Sequence, residues 1–152
     1  MPGKAHSHSL RSGRYSVPGQ SYLVTTRLIN GERIFADWRL GRLVVHELRL
    51  AHEHDIVHSL AWVVMPDHLH WLFELRTGTL ASVMQQVKSG SGIALNKATG
   101  HSGRVWQTGY HDIAIRHEKQ LKDFARYVVA NPLRAGLVSR VGDYPLWDCK
   151  WL

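Results

Sequence analysis

The stretch VVMPDHLHWLFEL, residues 63–75, constrains the fold more than any other part of the chain. It reads as a strand, a tight connection at Pro66-Asp67, and a second strand running back. Side chains of a strand alternate between two faces. Leu69, Trp71, Phe73 and Leu75 therefore share one face, wholly apolar, that must meet a core. The other face carries His68, His70, Leu72 and Glu74. Two residues along a strand span about 6.5–7 Å, so the two imidazoles can converge on one ion. Imidazole is the commonest metal ligand of proteins near neutral pH.

Around this hairpin the chain reads as one α+β domain. Tyr22 to Leu28 alternates as a strand, and Asn30-Gly31 signals a turn. Leu40, Leu43, Val44, Leu48 and Ala51 recur at helical spacing, with Asp37 as N-cap. Leu80, Val83, Met84 and Val87 open a second helix capped by Thr79 or Thr77. Gly90-Ser91-Gly92 interrupts its pattern: two glycines cost a helix roughly 2 kcal/mol against alanine, so either the helix breaks or something approaches its backbone closely. A short strand is expected near Asp112 to Arg116, then a helix from about Glu118 to Ala130 ended by Pro132. The order β-α-β-β-α-β plus an extra helix is the ferredoxin-like pattern, an antiparallel sheet with helices packed on it. Three segments are expected: a flexible basic arm at 1–20, a catalytic domain at 21–138, and a tail at 139–152 whose Trp147 and Trp151 pack back on the body.

The last long helix holds the other reactive candidates. Leu121, Phe124, Ala125 and Val128 form its buried stripe, and Tyr127 and Asn131, four apart, share the border. Gln120 lies in the same sector, so spacing alone leaves the third metal ligand open between them. A net charge of +7 points to a polyanionic partner. Cys149 is the only cysteine, which excludes an internal disulfide and a cysteine-built zinc site. No apolar run is long enough to span a membrane, no secretory signal opens the chain, and a cytoplasmic, nucleoid-associated setting is expected.

A His-x-His strand, a Tyr-x-x-x-Asn helix and a basic surface suit attack on a phosphodiester by a tyrosine phenolate. The phosphodiester is anionic and repels nucleophiles, and a divalent metal neutralises and orients it. A phenol needs help to lose its proton before it can attack. Two imidazoles and an amide oxygen suit Mg²⁺ or Mn²⁺ better than a closed zinc site.

His68-Leu69-His70 resembles the His-hydrophobe-His signature of the HUH single-strand endonucleases. Together with VWQTGYHD and YVVANPLRAGLV, the hairpin stretch resembles the single-tyrosine transposases of bacterial insertion sequences, and SGRYSVPGQSYLVTTRL points more narrowly to the REP-associated tyrosine transposases. The resemblance runs from about Arg11 to Trp151. It implies that His68 and His70 bind the catalytic divalent metal, that Tyr127 is the nucleophile, and that Asn131 holds the position of the third ligand. It further implies cutting of single-stranded DNA beside a hairpin such as a REP-like palindrome, with the 5′ phosphate kept on tyrosine, by a monomer or homodimer. Ser89-Gly90-Ser91-Gly92 departs from the family pattern, where relatives carry a more helical, more basic run. Arg11, Arg14, Lys88, Arg104, Arg116 and Arg134 are the candidate phosphate contacts, with Lys4 in the arm as a further one, and tryptophans such as Trp106 are candidates for base stacking or core packing. The rival readings are a hairpin-binding regulator of the same fold that does not cut, a hydrolase using a metal-bound water, and an RNA-binding module. The last expects exposed aromatics on a sheet face, where this chain has histidines.

Overall fold

A computed structural model describes residues 16–151. Five strands form one sheet: β1 (Ser21–Arg27), β2 (Val57–Met65), β3 (His68–Leu75), β4 (His111–Ile115) and β5 (Trp147–Cys149), in the order β4-β1-β3-β2-β5 with every neighbouring pair antiparallel. The first four strands have the ferredoxin-like order. The fifth was not expected from the sequence. Only three residues of the tail pair with β2, opposite Ala61, Trp62 and Val63, too short a run to show an alternating pattern.

The helices are α1 (Trp38–Glu53), α2 (Leu80–Thr99), α3 (Glu118–Val129) and a single turn, α4 (Asn131–Arg134). Asp37 caps α1 by accepting from the Arg39 N–H, and Thr79 caps α2 through a reciprocal bond with Ser82. The α2 helix ends on Gly100, whose φ of 75° is the left-handed conformation glycine adopts freely. Pro132 does not simply end the last helix. Ala130 keeps helical φ/ψ, and Pro132 sits in the first turn of α4, where its missing N–H costs nothing.

Both faces of the sheet are covered. Leu69, Trp71, Phe73 and Leu75 are wholly buried against α1 and α2, together with Tyr22, Val24 and Leu28 of the first strand and its continuation. The Trp71 indole N–H is satisfied there by Ser59 Oγ at 2.8 Å. The opposite face packs Leu23, Ala61, Val63, Leu72 and Ile115 under Ala125, Val128 and Val129 of α3, with Trp147 and Trp151 at the margin.

The glycines of α2 do not break it. Helix runs unbroken through Gly90-Ser91-Gly92 because a close approach, the second alternative, holds at this point: a side chain at Gly90 would collide with the Glu47 carboxylate of α1. Ser91, fully buried, donates to Val87 O at 2.7 Å and accepts from Trp106 Nε1 at 3.0 Å. Trp106 is thereby a core residue, tilted against Phe35, and is not available to stack on bases.

Candidate active site

Register builds the centre. Antiparallel residues directly opposite one another share a face. Arg27 stands opposite His68, Thr25 opposite His70, and Leu23 opposite Leu72. The same face thus turns from apolar to polar along β3, and α3 covers only the apolar part. The helix begins just beyond Ile115, which pairs with Ser21 at the Glu74 end of the sheet. From Glu118 to Tyr127 it rises about 13.5 Å, and from Glu74 back to His70 the strand spans about 13 Å. The last turn of α3 therefore arrives over the histidines. The Tyr127 and His70 rings are 6.4 Å apart, centroid to centroid, at 71°.

The imidazoles are locked from behind. His70 Nδ1 is 2.8 Å from Thr25 Oγ1, and His68 Nδ1 is 2.6 Å from Asp67 Oδ1. The remaining nitrogens, both Nε2, face each other at 3.1 Å. Burial lowers the proton affinity of His68, and the Asp67 carboxylate only partly restores it. Burial likewise lowers His70, with the charges of His68, Arg27 and Arg134 adding to the effect, to about 3. Burial works to raise the Asp67 carboxyl, but the His68 hydrogen bond and nearby charges leave it below the ordinary value. At neutral pH the centre is thus two neutral imidazoles beside one carboxylate, with two arginines near.

These residues fit a divalent ion. Two nitrogens bound side by side at about 2.1 Å from a metal, at a right angle, lie about 3 Å apart, which matches the observed 3.1 Å. Each ring has its second nitrogen held by an oxygen, the usual arrangement behind a metal-bound histidine. Among the described residues no group of three His, Cys, Asp or Glu side chains is placed to hold a metal, so any further ligand is an amide, water or substrate oxygen. Asn131 is half-buried one turn past Tyr127; its Nδ2 donates to Tyr127 O and Val128 O, both at 3.2 Å, and no described residue donates to its Oδ1.

Tyr127 is about half exposed, and Arg134 holds it from outside. The guanidinium carbon lies 4.0 Å from the ring centroid, and Nη2 donates to Tyr127 O at 2.7 Å. His68, His70, Tyr127 and Arg134 are thus together, with Asn131 adjoining Tyr127. Lys88 and Arg104 are elsewhere, in a groove of about 590 Å³ between α2 and the loop 103–110. Lys88 Nζ donates to Gln107 O and Gly109 O at 2.7 and 2.8 Å, and Arg104 donates to Thr108 Oγ1. Arg116 lies at the other end of the sheet, beside Lys119, Lys122 and Trp151. Lys4, Arg11 and Arg14 fall outside the described residues. The sequence reading missed Thr25, Asp67 and Arg27. Asp67 could have been found as the carboxylate adjoining His68; the other two emerge only from the β1–β3 register.

The model of the family described as "Transposase IS200 like" matches residues 25–131, about 70% of the chain, which takes in His68, His70, Tyr127 and Asn131 but not Arg134. The chain belongs to this family. It is an enzyme of the transposase class. It is 26% identical over 136 residues to the REP-associated tyrosine transposase of Escherichia coli K12, across 87% of this chain and 78% of that one. A solved structure described as a REP-associated tyrosine transposase bound to a REP hairpin superposes with a TM-score of 0.74 at 24% identity, covering 88% of this chain and 79% of the other. That likeness shows the fold. Among the described residues, no helix of this family member is long and apolar enough to cross a membrane.

Proposed function

We propose that this transposase is a metal-dependent single-strand DNA endonuclease and strand transferase that works beside hairpins through a 5′-phosphotyrosine link. The observation that carries this reading is the Tyr127 ring 6.4 Å from His70, whose Nε2 converges with that of His68. His68 and His70, with Asn131 Oδ1 as a further ligand, would hold Mg²⁺ or Mn²⁺. When bound, such an ion neutralises the phosphodiester and orients it. Tyr127 Oη loses its proton to solvent base and attacks phosphorus. An O–P bond to tyrosine forms, the P–O3′ bond breaks, and the leaving 3′ oxygen takes up a proton. Because one phosphodiester replaces another, a 3′ hydroxyl can reverse the exchange without ATP.

Tyrosine and histidines come from one chain, so a monomer suffices to assemble the centre. The hairpin bound by the structural relative makes a REP-type palindrome the favoured DNA partner. A protein acting on such DNA works in the cytoplasm, with the nucleoid.

The test is a denaturing gel of protein mixed with labelled hairpin DNA, single-stranded flanks and Mn²⁺. A covalent adduct is expected, lost in Tyr127→Phe and in His70→Ala. Binding without an adduct points to the non-cutting regulator. Cleavage that survives Tyr127→Phe points to a hydrolase using water.

A further inference from the structure

A phosphodiester placed against the histidine pair carries a negative charge and meets the Asp67 side chain, whose Oδ1 lies 2.6 Å from His68 Nδ1. Beyond the ion that the pair would hold, positive charge for a second non-bridging oxygen comes from side chains around it. Arg27 is the cation that the sheet itself supplies. It stands directly opposite His68 on β1, so its side chain leaves the sheet on the histidine face. Its backbone is fixed at that point: Arg27 O accepts from the Gln107 N–H at 2.9 Å, and the next residue, Leu28, bridges to Trp106.

Arg27 is also uncommitted. Arg39, Arg76, Arg126 and Arg140 each pair with a carboxylate. Arg27 is exposed, and no described carboxylate lies within ion-pair distance of it. Asp67, next to His68 in the chain, spends its Oδ1 on that histidine. The register alone sets Arg27 beside the pair, opposite His68 and two residues along β1 from Thr25, which stands opposite His70. Arg134 approaches from the α4 side, tied to Tyr127.

We propose that Arg27 is a phosphate-binding residue of this centre, its guanidinium donating to a non-bridging oxygen of the phosphodiester presented to the histidines and Tyr127. A planar guanidinium offers two parallel donors to a phosphate, and it is less strongly hydrated than an ammonium. This assignment rests on the DNA-cleaving reading above and gives it a substrate contact outside the metal ligands.

The experiment compares wild type, Arg27→Ala, Arg27→Lys and Arg49→Ala. The last removes the same charge from an exposed site on α1, across the sheet. Adduct formation is followed with Mn²⁺ on a hairpin with single-stranded flanks, using a phosphodiester or a neutral methylphosphonate at the mapped cleavage position. Binding of the same DNA is measured without metal across salt concentrations. Arg27→Ala is expected to slow adduct formation on the phosphodiester by about 10- to 100-fold and to add no further loss on the methylphosphonate. It is expected to reduce the salt slope by about 0.7–0.9. Arg27→Lys recovers the slope but only part of the rate, and Arg49→Ala matches wild type in both. Wild-type rate and slope in Arg27→Ala would overturn the assignment, as would equal losses on the two substrates. If wild type binds but forms no adduct, the cleavage reading fails, and the salt slope still decides whether Arg27 touches phosphate.

Discussion

Thr25 Oγ1 lies 2.8 Å from His70 Nδ1, and this cross-strand bond turns the ring so that Nε2 meets that of His68. The His70 ring is buried. Thr25→Val keeps the shape and removes the hydroxyl. We expect Mn²⁺ affinity to fall about 10- to 100-fold, the usual cost of losing an oxygen behind a metal-bound histidine, while the fold persists. Mn²⁺ titration followed by paramagnetic broadening of the histidine ring signals measures this without DNA. Unchanged affinity would mean that packing alone orients His70.

Arg134 sits over Tyr127 and donates to its carbonyl, so it ties the one-turn α4 to the end of α3. The tether is at the surface, where a cation–π contact contributes only about 0.5–1 kcal/mol. Arg134→Ala should therefore shift the urea midpoint little. It should slow adduct formation about tenfold, a larger effect than on stability, because a misplacement of about 1 Å at a reacting group costs far more in rate. Arg134→Lys keeps the charge but lacks the flat face and fork, and it is expected to resemble the alanine variant. Full activity in Arg134→Lys would show that charge alone matters.

The parts of this molecule legible in its sequence are those that periodicity controls. Alternation in HLHWLFEL gave the buried ridge and the histidine face, and helical spacing gave the stripe on α3 that turns Tyr127 outward. What periodicity cannot show is which strands are neighbours. Thr25 and Arg27 look like ordinary polar positions until β1 lies beside β3 in one register. The three-residue β5 hides for a related reason: Cys149 and Trp147 find their face only by pairing with Ala61 and Val63. At Gly90-Ser91-Gly92 local propensity argued for a break, and tertiary packing of Glu47 and Trp106 prevailed.

The glycines themselves divide by environment. At Gly92 a side chain would enter open space, so Gly92→Ala should stabilise the protein by up to about 1 kcal/mol through helix propensity alone. At Gly41, on the buried face of α1, a β-carbon would run into Leu146, itself 1% exposed, with Val64 behind it. Overpacking there costs about 1–3 kcal/mol, more than the propensity returns, and Gly41→Ala should destabilise. Paired urea melts should give opposite signs; stabilisation by both would refute the account of Gly41, and destabilisation by both that of Gly92.

Lys88 provides a pH-dependent stability term away from the centre. Its ammonium bridges Gln107 O and Gly109 O, and burial, with the charge of Arg104 adding, lowers its proton affinity to about 8 from 10.5. Between those two values the unfolded chain holds a proton that the native protein has released. Stability linked to Lys88 must then rise with pH across this window, and be lowest where both states are charged, below about 8. Because the side chain is only partly buried, the rise is on the order of 1 kcal/mol. Lys88→Met loses the two bonds to the loop, about 1 kcal/mol at pH 7, and it loses the titration as well. Its deficit against wild type should therefore widen from pH 8 to 10.5, read from urea melts at each pH. A deficit that stays constant would mean that the two carbonyl oxygens favour the ammonium enough to cancel the effect of burial.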